Sequence, residues 1–113
     1  MTIEPGYLTI SVADVARAMP FYGGLFGWTF DHEPGTAYAH VNNTKLPLGL
    51  AQQGAVDIRF IYFRVEDIAA LKRTLFGLGG RVLEEHEHPS GLNAVCSDDQ
   101  GTVFSLWQPA AGF

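Results

Sequence analysis

The sequence predicts an α+β fold made of two βαβββ modules. Three observations carry that prediction. Val12, Asp14, Ala16 and Gly27 recur as Val65, Asp67, Ala69 and Gly80, a constant spacing of 53 in a chain of 113 residues. Around each set runs the same series: an alternating strand, an Asp, a helically spaced stretch, a Gly and further strands. A repeat of that length is a whole supersecondary unit rather than a solenoid turn. The chain is predicted to be a single domain over 1–113, with module one at about 5–53 and module two at about 57–109. Two such modules can enclose a pocket between them.

The first strand is predicted from Tyr7 to Val12, where Leu8, Ile10 and Val12 alternate with Tyr7, Thr9 and Ser11. A period of two gives a sheet with two unlike faces. Asp14 stands where an N-cap belongs, since its carboxylate can accept from the free amides of the next turn. Val15, Ala18, Met19, Tyr22, Leu25 and Phe26 follow as one apolar stripe at helical spacing. Pro20 should kink this helix, because it lacks an N–H and crowds the preceding turn. Gly27 should end it, and Gly23-Gly24 inside it weaken it by about 1 kcal/mol each against Ala.

Strands near Trp28 to Asp31, Thr36 to Val41 and Leu46 to Gln52 complete module one, with Pro34-Gly35 and Asn42-Asn43 as turns. A linker from Gln53 to Val56 follows. In module two, Arg59 to Val65 is a strand and Asp67 caps a helix carrying Ile68, Leu71 and Leu75. Gly77, Gly79 and Gly80 stop that helix. Further strands are predicted near Arg81 to Glu87, Asn93 to Ser97 and Thr102 to Trp107. The helices have an apolar surface to cover in Leu8, Ile10, Val12, Ile61, Phe63, Val65, Phe104 and Leu106. The opposite face holds Tyr7, Thr9, Ser11, Phe60, Tyr62, Arg64, Ser105 and Trp107. Such a half-aromatic, half-hydrogen-bonding face is a plausible pocket lining.

Seven Lys plus Arg against twelve Asp plus Glu give a net charge of −5. An acidic domain without a basic stripe repels phosphate backbones, so nucleic acid is an unfavourable partner. A neutral or cationic small molecule suits the field. The N-terminus has neither a basic start nor a long apolar run, and nothing approaches the roughly 20 apolar residues of a membrane span. A cytoplasmic location without membrane partners is the expectation. Cys96 is the only cysteine, so no internal disulfide can form.

Asp14-x6-Phe21-Tyr22-x2-Leu25-Phe26-Gly27-Trp28 and Asp98-Asp99-Gln100-Gly101-Thr102-Val103-Phe104-Ser105-Leu106-Trp107-Gln108-Pro109 carry a resemblance to a known family. They look like the vicinal oxygen chelate superfamily, the glyoxalase, bleomycin-resistance and extradiol-dioxygenase group, in its glyoxalase-like branch. The resemblance covers nearly the whole chain. It implies eight strands in two βαβββ units, curled into a half-open barrel with a central pocket. In enzymes of the superfamily a divalent metal is held by His, Gln or Glu on the first, fourth, fifth and eighth strands. Carried over, the first-strand ligand falls on Tyr7, the fifth on Phe60 and the eighth on Ser105. The fourth falls between Gly49 and Gln52, where only Gln52 could bind a metal.

A phenylalanine has no lone pair, neutral phenols and hydroxyls are poor ligands, and one amide oxygen cannot hold a transition metal. The resemblance then implies a relative of the metal-free members, with no cofactor, that binds or sequesters a small molecule such as an antibiotic. Its pocket would be lined by Tyr7, Trp28, Tyr38, His40, Phe60, Tyr62, Ser105 and Trp107. Because relatives pair or fuse such domains, a homodimer is implied. The alternative is a lyase, isomerase or dioxygenase using His40, His86 or His88 in a rearranged metal site, or acid–base chemistry through Tyr7 or His40. A third reading is an accessory domain with a vestigial pocket. His86 and His88 read more simply as a solvated strand end among Glu84, Glu85 and Glu87, His32 as a surface turn residue, and Cys96 as a small buried hydrophobe.

Overall fold

The computed structural model describes residues 1–113. The chain divides into two compact units, Met1–Gly54 and Ala55–Phe113. The first contains β1 (Leu8–Val12), α1 (Val15–Phe26), β2 (Phe30–Asp31), β3 (Tyr38–Val41) and β4 (Leu48–Gln52). The second contains β5 (Asp57–Arg64), α2 (Ile68–Gly77), β6 (Arg81–His88), β7 (Gly91–Ser97) and β8 (Val103–Pro109). Both halves are therefore βαβββ, and the fold is α+β. No helix is long and apolar enough to cross a membrane.

The strands form two four-stranded mixed sheets, ordered β1-β4-β3-β2 and β5-β8-β7-β6. The first strand of each unit runs parallel to the last, and the remaining pairs are antiparallel. A parallel neighbour demands a crossover, and the helix provides it. In unit one α1 packs on β3 and β4; in unit two α2 packs on β6 and β8.

Both predicted caps form. Asp14 has extended backbone, and its side chain accepts from the Arg17 amide at 3.2 Å. Asp67 accepts from the Ala70 amide at 3.0 Å. Gly27 ends α1 at φ +70°, a left-handed conformation that suits glycine, and its amide reaches the Gly23 carbonyl. α1 continues through Pro20, which lies on its exposed side. Phe21 is buried in the stripe, whereas Met19 and Phe26 are only half-buried.

The predicted strand from Trp28 shrinks to Phe30–Asp31. The Thr29 amide is drawn instead to the Asn43 side chain at 3.1 Å, so the chain before Phe30 is satisfied by the Asn42-Asn43 turn rather than by a ladder.

The sheet faces separate as the alternation predicts. Ile10, Val12, Ala39, Val41, Leu48 and Leu50 are buried in unit one, as are Ala94, Cys96, Phe104 and Leu106 in unit two. Complete burial of each large aliphatic side chain contributes roughly 1.5–3 kcal/mol. The other face holds the functional candidates other than Trp28, which lies before β2.

Candidate functional site

Pairing register decides which side chains share the polar face of unit one. Gly49 stands between Thr9 on β1 and His40 on β3, and Ala51 stands between Ser11 and Tyr38. Opposed residues in a ladder project to the same side. Tyr7, Tyr38 and His40 gather there. The Tyr7 and Tyr38 hydroxyls share a hydrogen bond. Tyr7 Oη also lies 3.0 Å from His40 Nδ1, and its ring stacks on the imidazole at 5.9 Å with a 19° interplanar angle.

Gly49 makes room for this cluster. A Cβ at 49 would collide with the Tyr38 hydroxyl and come within 2.8 Å of Tyr7 Oη. Tyr38 is 38% exposed as a residue, but its hydroxyl is tucked over the glycine. Partial burial first, then the hydrogen bond with Tyr7, pushes this phenol up to about 12. It therefore keeps its proton at neutral pH.

Trp28 packs instead on the rings of α1, at 5.7 Å from Tyr22 and 5.0 Å from Phe26. The strand predicted near Trp28 to Asp31 begins only at Phe30.

In unit two, Arg64, Trp107, Asn93 and His86 form one cross-strand row, and Tyr62, Ser105, Val95 and Glu84 form the next. An open cleft of about 530 Å³ is lined by Tyr62, His88, Ser90, Asn93 and Trp107. The Trp107 indole donates to the Ser90 carbonyl at 3.1 Å, which fixes the ring. The Arg64 guanidinium lies 5.4 Å from the Trp107 ring centroid, a cation–π contact. Asn93 Oδ1 is buried with no hydrogen-bond partner, leaving an unfilled acceptor among the lining residues.

Phe60 is 84% exposed, while Ser105 is completely buried with its hydroxyl donated to the Arg59 carbonyl. His88, Ser90 and Asn93 join the lining beyond the residues the sequence points to. Their place depends on β6–β7–β8 pairing, which leaves no local signal beyond the alternation of Asn93 with Leu92 and Ala94.

The other histidines divide: His86 and His88 lie at an exposed strand end, and His32 is half-buried beside a turn. His86 and His88 are exposed and stack at 6.0 Å, and His86 Nε2 meets Glu84 Oε1 at 3.3 Å. His32 Nε2 contacts the Thr36 carbonyl at 3.1 Å. No three His, Cys, Asp or Glu side chains converge as a metal cage. Cys96 is fully buried, and burial pushes its thiol up to about 11.

Four positions decide whether the divalent metal of the superfamily's enzymes fits here. Parallel pairing sets Gly49 against Thr9 and Ser105 against Tyr62. Thr9 and Tyr62 are 53 residues apart, so Gly49 is the internal counterpart of Ser105. The fourth-strand position is therefore a glycine with no donor. Gln52 is also committed: its Oε1 accepts from the Val15 amide at 3.0 Å, just as Gln108 Oε1 accepts from Ile68 at 2.9 Å. Tyr7 is engaged with Tyr38 and His40, Ser105 with Arg59, and Phe60 offers no lone pair. These residues do not fit the metal.

The family profile described as "Glyoxalase-like domain" matches residues 7–107. The anthracycline biosynthesis protein DnrV of Streptomyces peucetius is 28% identical to the chain, covering 92% of it and 46% of DnrV. The chain thus spans about half the length of the curated relatives it matches. Among solved structures, the fosfomycin resistance protein FosX of Listeria monocytogenes, complexed with Mn(II) and sulfate, superposes with a TM-score of 0.79 at 14% identity, covering 98% of this chain and 94% of FosX. TnmS3, an antibiotic binding protein from Streptomyces sp. CB03234, gives 0.70 at 22% identity, covering 97% of this chain and 99% of TnmS3. Two βαβββ units and a profile match across almost the whole chain place it together with these proteins: it belongs to the glyoxalase-like domain family, within the vicinal oxygen chelate superfamily.

Proposed function

We propose that the protein binds a small molecule without a metal, holding a flat aromatic or cationic compound by stacking and shape. The carrying observation is the fate of the four family metal positions: Tyr7 and Ser105 have their oxygens engaged, and Gly49 and Phe60 have none to give. In unit two the compound would lie in the cleft of Tyr62 and Trp107. Arg64 already rests on the Trp107 face, so that face accepts a cation, and the net charge of −5 favours one. Relatives named for anthracycline biosynthesis and antibiotic binding support sequestration of an antibiotic as one version of this role. The curated relatives are about twice the length of this chain, and pairing of two copies as a homodimer is part of the proposal. A cytoplasmic setting completes the proposal.

The test is a titration with proflavine, a planar aromatic cation, followed by tryptophan fluorescence. Quenching with saturable binding is the expected result. Trp107→Leu should weaken binding about tenfold, the loss of about 1.4 kcal/mol of stacking. Arg64→Ala should strengthen it, because a competing cation leaves the ring. Unchanged affinity in both variants would overturn the placement in this cleft.

A second reading, a lyase or isomerase using acid–base chemistry, is favoured by one contact, the 3.0 Å approach of Tyr7 Oη to His40 Nδ1.

A further inference from the structure

His40 Nδ1, Tyr7 Oη and Tyr38 Oη form a continuous hydrogen-bonded chain, and the Thr9 side chain hydrogen-bonds the Tyr38 oxygen. Two hydrogens hold the two links of the chain. When Tyr7 donates to His40 and Tyr38 donates to Tyr7, the Tyr38 oxygen keeps one lone pair for an incoming group. When the hydrogens run the other way, Tyr38 has an O–H to give. The end of the chain is thus an acceptor or a donor according to whether His40 Nδ1 carries a proton.

An imidazole nitrogen can accept or donate a proton. Two partly exposed phenols hand that exchange to the surface, since Tyr7 and Tyr38 are 47% and 38% exposed. Gly49 is required for this arrangement, because any Cβ there would displace the Tyr38 hydroxyl.

The surrounding charges narrow the ligand. Asp31 on β2 lies opposite His40 in the ladder, with one carboxylate oxygen taken by the Asn42 amide at 2.9 Å. Asp31, His32 and Glu33 share an open cleft of about 640 Å³ with Tyr38, Phe30 and Thr36. The two carboxylates repel a ligand that arrives as an anion. The fitting partner is neutral on arrival and ionises in place.

We infer that Tyr38, Tyr7 and His40 form a proton-sharing site for a ligand with an ionisable hydroxyl, of the electron-poor phenol, enol or hydroxyquinone class. The inference goes beyond the proposed function, adding a site in unit one to the unit-two cleft of Tyr62 and Trp107. In the transfer the ligand O–H breaks as Tyr38 Oη accepts its proton. The Tyr38 hydrogen passes to Tyr7 Oη, and the Tyr7 hydrogen passes to His40 Nδ1. The products are a ligand oxyanion and an imidazolium, with no change of oxidation state.

The test pairs 4-nitrophenol with 4-nitroanisole, in which a methyl group replaces the transferable proton. Both are titrated below the pKa of 4-nitrophenol, where the free phenol is colourless. The wild-type protein should bind the phenol about tenfold more tightly than the ether, the worth of one hydrogen bond to a charged group. The yellow phenolate band should grow on binding. Tyr7→Phe and His40→Gln should each abolish that growth while proflavine binding is unchanged, which also shows that the variants are folded.

Equal affinity for the two probes overturns the assignment and leaves the cleft reading standing. So does a phenolate band that persists in Tyr7→Phe, or failure of both nitro compounds to bind while proflavine binds. Failure of all three probes overturns both readings.

Discussion

The Tyr38 hydroxyl stands where a Cβ on Gly49 would be. Gly49 occupies the internal position that corresponds to Ser105. What would be a ligand-bearing position in a metalloenzyme is here a gap filled by a phenol from the neighbouring strand. Gly49→Ala should therefore destabilise the protein by roughly 1–3 kcal/mol through overpacking. The same change in a Tyr38→Ala background should cost markedly less. Thermal melting of the four proteins of that cycle measures the coupling, and additive effects would show that Tyr38 does not fill the gap.

Gln52 and Gln108 perform one task in the two units, each accepting from the first amide of its helix. Replacing either with Ala leaves a helical N–H without its acceptor and should cost about 1 kcal/mol. Gln52→Glu should retain stability at neutral pH, because a carboxylate is favourable at a helix N-terminus. Urea denaturation of the three variants checks both statements.

Cys96 and Tyr38 should both contribute to a loss of stability at alkaline pH. Folding raises the Cys96 thiol from 9.0 to about 11 and the Tyr38 phenol from 10.0 to about 12. A raised acid favours folding while it is protonated, so the contribution is complete below the unfolded pKa and is lost as pH rises through the folded value. Denaturation midpoints should hold steady up to about pH 9 and fall between about pH 9 and 12. Cys96→Ala should flatten the earlier part of that fall. A thiol reagent at pH 8 should leave the folded protein unmodified and react on unfolding.

The legible parts of this fold are the local ones. Asp14 and Asp67 announce their helices because an N-cap acts within three residues. Gly27 announces the end of α1 through its own backbone. Alternation separates Ile10 and Val12 from Tyr7 and Thr9 without any knowledge of neighbours. By contrast, Gln52 looks like the one free donor on β4 until the fold brings Val15 to it. Gly49 becomes meaningful only once Thr9 and His40 flank it. Asn93 and His88 join Trp107 through the β6–β7–β8 ladder, and Trp28 leaves the sheet because the Asn42-Asn43 turn holds the chain before Phe30. Helix caps are written in neighbouring residues, whereas sites are written in strand pairing.

The most direct test of the account is the divalent metal content of protein purified from unsupplemented medium, followed by calorimetric titration with Mn(II), Ni(II), Zn(II) and Fe(II). The account predicts metal far below one ion per chain and no saturable heat, because rings, a glycine and a committed serine stand where donors belong. One tightly held ion per chain, lost on Tyr7→Phe or His40→Gln, would contradict it and establish a metalloenzyme centre in their place.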